Sequence, residues 1–293
     1  MNRIVPYLFL PVPVFLVWLV RTGEYKLSAL LILPVLIFSF VYHPYLLPKF
    51  SKSAPPDADL SVMTYNVLYS NLDYDAVAHI ILRYHPDLVA LQEATPQMMD
   101  ALKDRLANEY PYSLHATRNH DGMTAVFSRH PLAEAYILDL GADRLAVIAK
   151  AEVKHQIVAF AAVHLRAYGL QWVRPLSGIP RAIVERTHAQ NRQVDILLEE
   201  LQDVSGSVVI GCDCNSQETS SSYRMLDRWF DNAAHQVGWR FPGIKLVGAV
   251  QDNRMQHIDF IWYRGALEPF AAYQIKDSGG SDHHPVLVLF DLK

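Results

Sequence analysis

The sequence predicts an α/β or α+β domain with β-sheets at its core, behind an apolar N-terminal segment. Short apolar runs typical of buried strands alternate with stretches of helical periodicity from about residue 60 to the end of the chain. Several of the predicted strands end in a polar residue, and the longest uncharged runs lie before residue 50.

The N-terminal segment contains two uncharged runs, residues 4–20 and 27–47. A helix rises about 1.5 Å per residue, so about 20 apolar residues cross the hydrocarbon core of a bilayer. We therefore predict a membrane hairpin of two transmembrane helices at residues 1–48, with one span plus an interfacial segment as the alternative. A cleaved signal peptide is disfavoured, because a clear small-x-small cleavage site is lacking and a second apolar run follows at once.

This hairpin predicts a multi-pass membrane protein, with the lipid bilayer as a partner. Arg3, Lys49 and Lys52 flank the hairpin, whereas Arg21 and Lys26 lie in its connecting loop. Three basic residues against two favour both termini in the cytoplasm only weakly, so the side of the membrane is not determined. The sequence implies no protein partner.

We predict a linker at residues 49–59, because Pro55-Pro56 favours extended backbone. Residues 60–293 are then predicted to form one domain. Removing the five basic and three acidic residues before Leu60 leaves 21 Lys and Arg against 27 Asp and Glu. An acidic domain lacks the broad positive surface of a dedicated nucleic-acid-binding protein, although it does not exclude a nuclease.

The domain begins with a predicted strand over residues 60–67 and a helix over residues 73–84. A second buried strand covers residues 87–93, and Thr95 begins a helix with Pro96 in its first turn. Further strands are predicted at residues 124–128, 146–152, 157–165, 207–212, 258–263 and 286–289, and a long helix at residues 182–201.

The only cysteines are Cys212 and Cys214. Two thiols alone rarely make a zinc site, so we interpret them as small buried residues of a core strand. Residues this close on an extended strand bridge poorly, and we therefore predict no disulfide between them.

Polar residues follow four of the apolar strands. Asn66 and Glu93 each end a predicted strand. Asn66 could be a strand-end cap and Glu93 a surface carboxylate. Alternatively, the Glu93 carboxylate suits a hard cation such as Mg²⁺. Asp213 and Asn215 follow the strand at residues 207–212, where Asp could orient or deprotonate water and Asn could donate to a phosphoryl oxygen; an Asx turn is the alternative. His164 is either a buried strand histidine or a general acid.

The C-terminal end contains Asp282 and His283, with Asp259 in the preceding strand. An imidazole held by a carboxylate resembles the oriented histidine of a catalytic triad. However, the chain has no Gly-x-Ser-x-Gly segment, which disfavours a covalent serine hydrolase. We therefore assign His283 to a metal-and-water site, with Asp259 as its orienting acid.

Seven segments of the domain, in this order, resemble the endonuclease/exonuclease/phosphatase superfamily, which includes the DNase I-like nucleases. They are residues 64–67, 91–93, 122–129, 163–165, 213–215, 258–260 and 281–286. The resemblance implies a four-layer sandwich of two packed mixed β-sheets flanked by helices, a divalent metal ion, and direct attack of water on phosphorus. One departure is that the usual Gly-Asp-Phe-Asn is replaced by Cys-Asp-Cys-Asn.

The same resemblance implies a role for each of eight residues. The implied metal ligands are Glu93, Asn66 and Asp282, and the metal is Mg²⁺, with Mn²⁺ as the alternative. The implied catalytic residues are His164, Asp213, Asn215, Asp259 and His283.

The stretch at residues 166–192 is rich in arginine, with Tyr168 and Trp172 between the basic residues. A solvated loop leading into a helix is one interpretation. The other is a basic loop that binds substrate phosphate through Arg166, Arg174 and Arg181, since guanidinium groups hold phosphate with two hydrogen bonds.

Together these features favour a membrane-anchored, Mg²⁺-dependent phosphoesterase acting on a phosphoester or pyrophosphate, which could be lipid-linked. The first alternative is a membrane-tethered nuclease acting on DNA or RNA. A non-catalytic binding module on the same fold is the second, and the complete set of polar residues argues against it.

Overall fold

The computed structural model describes residues 11–46, 58–118, 123–169, 173–237 and 258–293. Within these ranges the strands are β1 (Leu60–Asn66), β2 (Leu88–Gln92), β3 (Tyr112–Ala116), β4 (Thr124–Ser128), β5 (Leu132–Gly141), β6 (Arg144–Val153), β7 (Gln156–His164), β8 (Ser207–Asp213), β9 (Asp231–Asn232), β10 (Asp259–Arg264), β11 (Leu267–Gln274) and β12 (Val286–Leu292). The helices are α1 (Val12–Arg21), α2 (Tyr25–Leu46), α3 (Tyr74–Tyr84), α4 (Pro96–Leu106), α5 (Ile179–Leu201), α6 (Ser221–Leu226) and α7 (Ala233–Gln236).

The strands form two six-stranded sheets. The first has the order β11-β12-β1-β2-β4-β3, and the second has the order β5-β6-β7-β8-β10-β9. Both sheets are mixed, because β1 runs parallel to β2 and β7 runs parallel to β8, whereas the other pairs are antiparallel.

Three apolar layers hold the sheets and helices together. Side chains such as Val62 and Phe160 fill the space between the two sheets. Met63 belongs to a second layer under α3 and α4, and Leu197 to a third layer under α5. Each fully buried aliphatic side chain of this kind contributes about 1.5–3 kcal/mol. The order helix, sheet, sheet, helix confirms two packed mixed sheets flanked by helices.

The helix starts follow the capping residues of the sequence. The Asp73 side chain accepts a hydrogen bond from the backbone N–H of Ala76, and Thr95 caps Met98 in the same way. Helix α5 starts at Ile179, three residues before the predicted start, with Pro180 in its first turn.

Four strands of the described chain had no predicted counterpart, and one of them is the two-residue strand β9. β5 is largely exposed, so its sequence lacks a continuous apolar run. β11 contains Pro269, and its pairing with β12 is irregular between Pro269 and Ala271. β3 is half-exposed and is identified by its pairing with β4.

The described parts of the N-terminal apolar runs form the two helices α1 and α2, whereas residues 1–10 lie outside the described residues. No helix in the described part of the chain has both the length and the apolar character needed to cross a membrane. The predicted transmembrane hairpin at residues 1–48 is therefore not shown by this structure. Residues 47–57, which contain most of the predicted linker, lie outside the described residues.

The prediction that Cys212 and Cys214 are not bridged is wrong, because the structure joins them in a disulfide. β8 ends at Asp213, so Cys214 is no longer in the extended strand. The two Cα atoms lie 5.2 Å apart, within the range that a disulfide requires. Both residues are buried in the layer under α5, as the sequence indicated.

The two sheets approach closely beneath the edge at which β1, β2, β7 and β8 end. A Cβ atom at Gly211 would lie 2.5 Å from Cβ of Ala90 and 3.2 Å from Cβ of Thr64. Glycine at this position in β8 therefore permits the contact between the sheets.

Candidate active site

The residues predicted to bind metal or to act in catalysis meet at one edge of the sandwich. The parallel strands β1 and β2 end there, as do β7 and β8, while the antiparallel strands β10 and β12 begin there. Side chains along a strand alternate between faces. Asn66, His164 and Asp213 continue rows whose earlier members fill the space between the sheets, so their side chains point into the same cleft.

Asn66 joins the two halves of the site. Its Nδ2 donates to Oε1 of Glu93 at 3.0 Å and to Oδ2 of Asp213 at 2.9 Å. Its Oδ1 accepts from the backbone N–H of Leu68, and its backbone carbonyl accepts from the hydroxyl of Ser281. Asn66, predicted as a metal ligand, thus holds two carboxylates in place.

Glu93 reaches the cleft through an unusual backbone conformation. The preceding residues Val89 and Leu91 face α3 and α4, and regular alternation would turn Glu93 the same way. Its φ angle of 60° interrupts the strand, and the carboxylate then contacts Asn66 and accepts from the N–H of Tyr69 at 3.1 Å. Left-handed backbone at a non-glycine residue costs on the order of 1–3 kcal/mol and is concentrated at functional sites.

His164 is buried and neutral. Its Nε2 lies 3.5 Å from Oδ2 of Asp213 and 3.1 Å from Nδ2 of Asn215. Since Asn215 donates there and to the carbonyl of Leu165, Nε2 carries no proton. Burial lowers the pKa of His164 well below its usual value, and the charges of Arg144 and His283 lower it further.

Asn215 has a different environment from the one expected of a phosphate ligand. Its φ angle is 45°, so it does not continue the extended strand with Asp213. The backbone N–H of Asn215 donates to Oδ1 of Asp213 at 3.0 Å, and its side-chain amide contacts His164. In this structure Asn215 fixes the positions of those two residues.

His283 and Asp259 form an oriented pair. Nδ1 of His283 lies 2.9 Å from Oδ2 of Asp259, and Nε2 lies 3.9 Å from Oδ2 of Asp213. Burial disfavours the charged imidazole, but the carboxylates of Asp259 and Asp213 outweigh it and raise the pKa of His283. Burial raises the pKa of Asp213. The charge of His283 lowers this pKa, and the charge of Asp259 raises it. A proton in this group therefore resides on His283.

A divalent cation fits this group of residues. Ligand atoms of Asp213, Asp259 and His283 lie within 4.8 Å of one another. Oδ1 of Asp259 is buried and has no hydrogen-bond partner among the described residues. Burial also raises the pKa of Glu93, a further carboxylate that shares the amide of Asn66 with Asp213. Several oxygen ligands in a cleft with an unused carboxylate oxygen are what Mg²⁺ or Mn²⁺ requires.

Asp282, the third predicted metal ligand, is half-buried at the rim of the cleft. It directly precedes His283 in the chain, and its charge raises the pKa of both Glu93 and His283.

The three arginines predicted to bind substrate lie in different environments. Arg166 is half-buried, and its backbone N–H donates to Oε1 of Gln193 at 2.9 Å. Nη1 of Arg174 donates to the carbonyl of Val173. Arg181 is 85% exposed and pairs with Glu185 at 2.7 Å. Trp172 lies outside the described residues.

Two residues that support the site were missed by sequence reasoning. Gln190 of α5 donates to the carbonyl of Arg166 at 2.6 Å and to that of Asn215 at 3.1 Å. The Ser281 hydroxyl connects Asn66 to the backbone N–H of His283. Ser281 adjoins the Asp-His pair and could have been suspected, whereas nothing in the helical pattern marks Gln190.

Comparison with known proteins gives one family and several similar structures. A sequence model described as the Endonuclease/Exonuclease/phosphatase family matches residues 63–283. No curated protein matches the sequence. The structure is similar to the endonuclease/exonuclease/phosphatase from Beutenbergia cavernae DSM 12333, with 20% identity and a TM-score of 0.62, over 80% of this chain and 72% of that chain.

Two further structures share the fold. One is the endonuclease/exonuclease/phosphatase from Bacteroides vulgatus, with 15% identity and a TM-score of 0.62, over 80% of this chain and 99% of that chain. The other is D. rerio TDP2 complexed with single strand DNA product, with 18% identity and a TM-score of 0.61, over 79% of this chain and 98% of that chain. At these identities the similarity is one of fold.

Proposed function

Because the chain belongs to the Endonuclease/Exonuclease/phosphatase family of metal-dependent phosphoester hydrolases and nucleases, we propose that it hydrolyses a phosphoester or pyrophosphate by direct attack of water on phosphorus. The observation that carries this proposal is the group formed by Asp213, Asp259 and His283. It combines oxygen ligands for a cation with an acid–base pair in one cleft.

Each residue of the cleft has a distinct part in this reaction. Asp213 is held by Asn66 and by the N–H of Asn215, so its carboxylate can orient the attacking water and accept its proton. Protonated His283 donates to a phosphoryl oxygen and stabilises the charge that develops there. Glu93, Asp213 and Asp259 would hold the divalent cation, which supplies further charge stabilisation to the phosphoryl group when bound.

The role of His164 is constrained by its protonation state. With Nε2 accepting from Asn215, the neutral imidazole cannot give a proton from that atom. We propose that it stabilises the cleft by accepting the hydrogen bond of Asn215, and that protonation of the leaving group does not come from Nε2 of His164.

The test is hydrolysis of bis(p-nitrophenyl) phosphate by the full chain with Mg²⁺, with Mn²⁺ and with EDTA. We expect turnover with a divalent ion only, and a loss of at least about 100-fold in Asp213→Asn and His283→Gln. Turnover that survives EDTA, or that is unchanged in both variants, would refute metal-assisted hydrolysis at this site.

We further propose that a lipid bilayer is the partner of the N-terminal helices and that the substrate is a lipid-linked phosphoester or pyrophosphate. Support comes from large apolar side chains that remain exposed on α1 and α2, including Val14 at 73%, Leu30 at 72% and Phe40 at 79%. Burying such surface stabilises by about 25 cal/mol per Å². The expected location is the bacterial cytoplasmic membrane.

Flotation of the full chain with phospholipid vesicles tests the bilayer contact. We expect co-flotation of the wild-type chain and loss of it when Leu30, Leu33 and Phe40 are all changed to Ser. A chain that stays at the bottom of the gradient with vesicles present contradicts the membrane proposal and leaves the hydrolase proposal unaffected.

A nuclease is the second candidate, supported by the fold shared with D. rerio TDP2, whose structure contains a single strand DNA product. The excess of acidic residues in the domain argues against broad contact with DNA. The two candidates are distinguished by assaying the purified chain on plasmid DNA and on a lipid pyrophosphate, each with Mg²⁺ and with EDTA. Cleavage of DNA alone would refute the lipid-linked substrate.

A further inference from the structure

Helix α5 extends from the core to the rim of the active site. Its C-terminal half packs on the second sheet through Val194, Leu197 and Leu201. One turn before Leu197, Gln193 donates to the carbonyl of Gly141. Two turns before Leu197, Gln190 donates to the carbonyl of Asn215. The first turns of the helix therefore lie beyond the ends of β7 and β8.

Arg186 lies on the same face of α5 as Gln190. It precedes Gln190 by four residues, so it lies about 6 Å nearer the N-terminal end of the helix along the helix axis. The next residue, Thr187, lies 2.9 Å from the hydroxyl of Tyr168 through its Oγ1, which ties this turn to the segment after His164. Arg186 thus lies at the rim of the cleft, one turn beyond the residue that contacts Asn215.

The guanidinium of Arg186 has an unmet hydrogen-bonding requirement. Its Nη1 is buried, and it has no hydrogen-bond partner among the described residues. Arg181 on the same helix differs, because it is exposed and paired with Glu185. An unpaired donor on a buried charged group is unfavourable, and a phosphate oxygen is an acceptor that would satisfy it.

We propose that Arg186 binds a second phosphate group of the substrate, adjacent to the phosphoryl group attacked at Asp213. The inference rests on the proposed phosphoester hydrolysis. Asp213, His283 and the cation ligands already surround the position of the attacked phosphorus. Arg186 is separated from them by Gln190 and Asn215, so the anion that it binds is a neighbouring one. The structure thereby favours substrates with two linked phosphates over phosphate monoesters.

The test is a binding measurement that needs no turnover. The full chain with Mg²⁺ is titrated calorimetrically with imidodiphosphate, a non-hydrolysable diphosphate, and with orthophosphate. In Arg186→Gln we expect affinity for imidodiphosphate to fall at least about tenfold, as for loss of a charge-assisted hydrogen bond, and affinity for orthophosphate to stay within about twofold. Arg186→Lys should recover part of the lost affinity.

Arg105→Gln is the matched control, because Arg105 lies on α4 and pairs with Asp75; it should leave both affinities unchanged. Equal affinity of wild type and Arg186→Gln for imidodiphosphate, or equal loss for both ligands, would overturn the second-phosphate site. If Arg186→Gln fails to fold, Arg186→Lys decides: a partial loss of affinity for imidodiphosphate with orthophosphate binding intact supports the second-phosphate site, whereas unchanged affinity for imidodiphosphate or equal loss for both ligands contradicts it. Hydrolysis of bis(p-nitrophenyl) phosphate, which has one phosphate, tests the proposed function separately.

Discussion

Nδ1 of His283 and Oδ2 of Asp259 lie 2.9 Å apart, although 23 residues separate them in the chain. β10 begins at Asp259 beside the end of β8, and His283 precedes β12 at the same edge of the sandwich. The side chains of both residues are about nine-tenths buried. The pair fixes the ring of His283 so that Nε2 faces Asp213.

Asp259→Asn should therefore reduce catalysis without removing the imidazole. An amide can still contact Nδ1, but it lacks the charge that keeps His283 protonated. We expect kcat to fall about 100-fold with KM changed by less than about fivefold. Steady-state kinetics on bis(p-nitrophenyl) phosphate measures both. Asp291→Asn, at the far end of β12, is the control, and equal kinetics of the two variants would show that the pair is not catalytic.

Asn66→Ala should destabilise the fold in a metal-dependent manner. The change removes the donor shared by Glu93 and Asp213, so two buried carboxylates lose a hydrogen bond. We expect a loss of about 1–3 kcal/mol in unfolding free energy with EDTA, and a smaller loss with Mg²⁺, because the cation compensates the carboxylates. Urea unfolding under both conditions measures this. An equal loss with and without metal would contradict a cation site beside Asn66.

Gly211→Ala should weaken the contact between the sheets. The added Cβ would lie 2.5 Å from Cβ of Ala90, which is a backbone-anchored atom that cannot turn aside. We expect a destabilisation of about 1–3 kcal/mol, measured by urea unfolding. Gly178→Ala is the matched control, since its Cβ would meet only Val173 at 3.4 Å and its φ angle is −77°. Equal stability of the two variants would refute this packing account.

His115 should contribute to stability at neutral pH and lose that contribution on acidification. Burial lowers its pKa below the usual 6.5, although the hydrogen bond with the carbonyl of Ala94 opposes the shift. The folded state thus binds this proton less readily than the unfolded state, and the contribution is lost as pH falls from about 6.5 through the folded pKa. It is fully present above that range.

Urea unfolding at pH 7 and pH 5 of wild type and His115→Gln measures this effect. We expect the loss of stability between the two pH values to be smaller in the variant. His155→Gln is the control, because the His155 side chain is 98% exposed. An identical pH dependence in wild type and His115→Gln would show that His115 does not titrate on unfolding.

The strands that carry the site were predictable because burial leaves a clear sequence signal. β4 was predicted with its observed limits at residues 124–128, and β1, β7 and β8 within one residue at each end. β5 and β11 were not predicted, because exposed or proline-containing strands lack a continuous apolar run. Their positions follow from pairing with β6 and β12.

The sequence by itself determined which polar residues follow buried strands, and the order of those residues was enough to suggest the family. Only the tertiary structure decided what each one contacts. Glu93 enters the cleft through a left-handed φ angle, and the Cys212–Cys214 disulfide forms where the strand has ended. Arg186 differs from Arg181 on the same helix, because its Nη1 is buried and unpaired among the described residues whereas Arg181 is exposed and paired with Glu185. Side-chain alternation and apolar runs are local properties, whereas burial, unpaired donors and backbone strain depend on how distant segments pack.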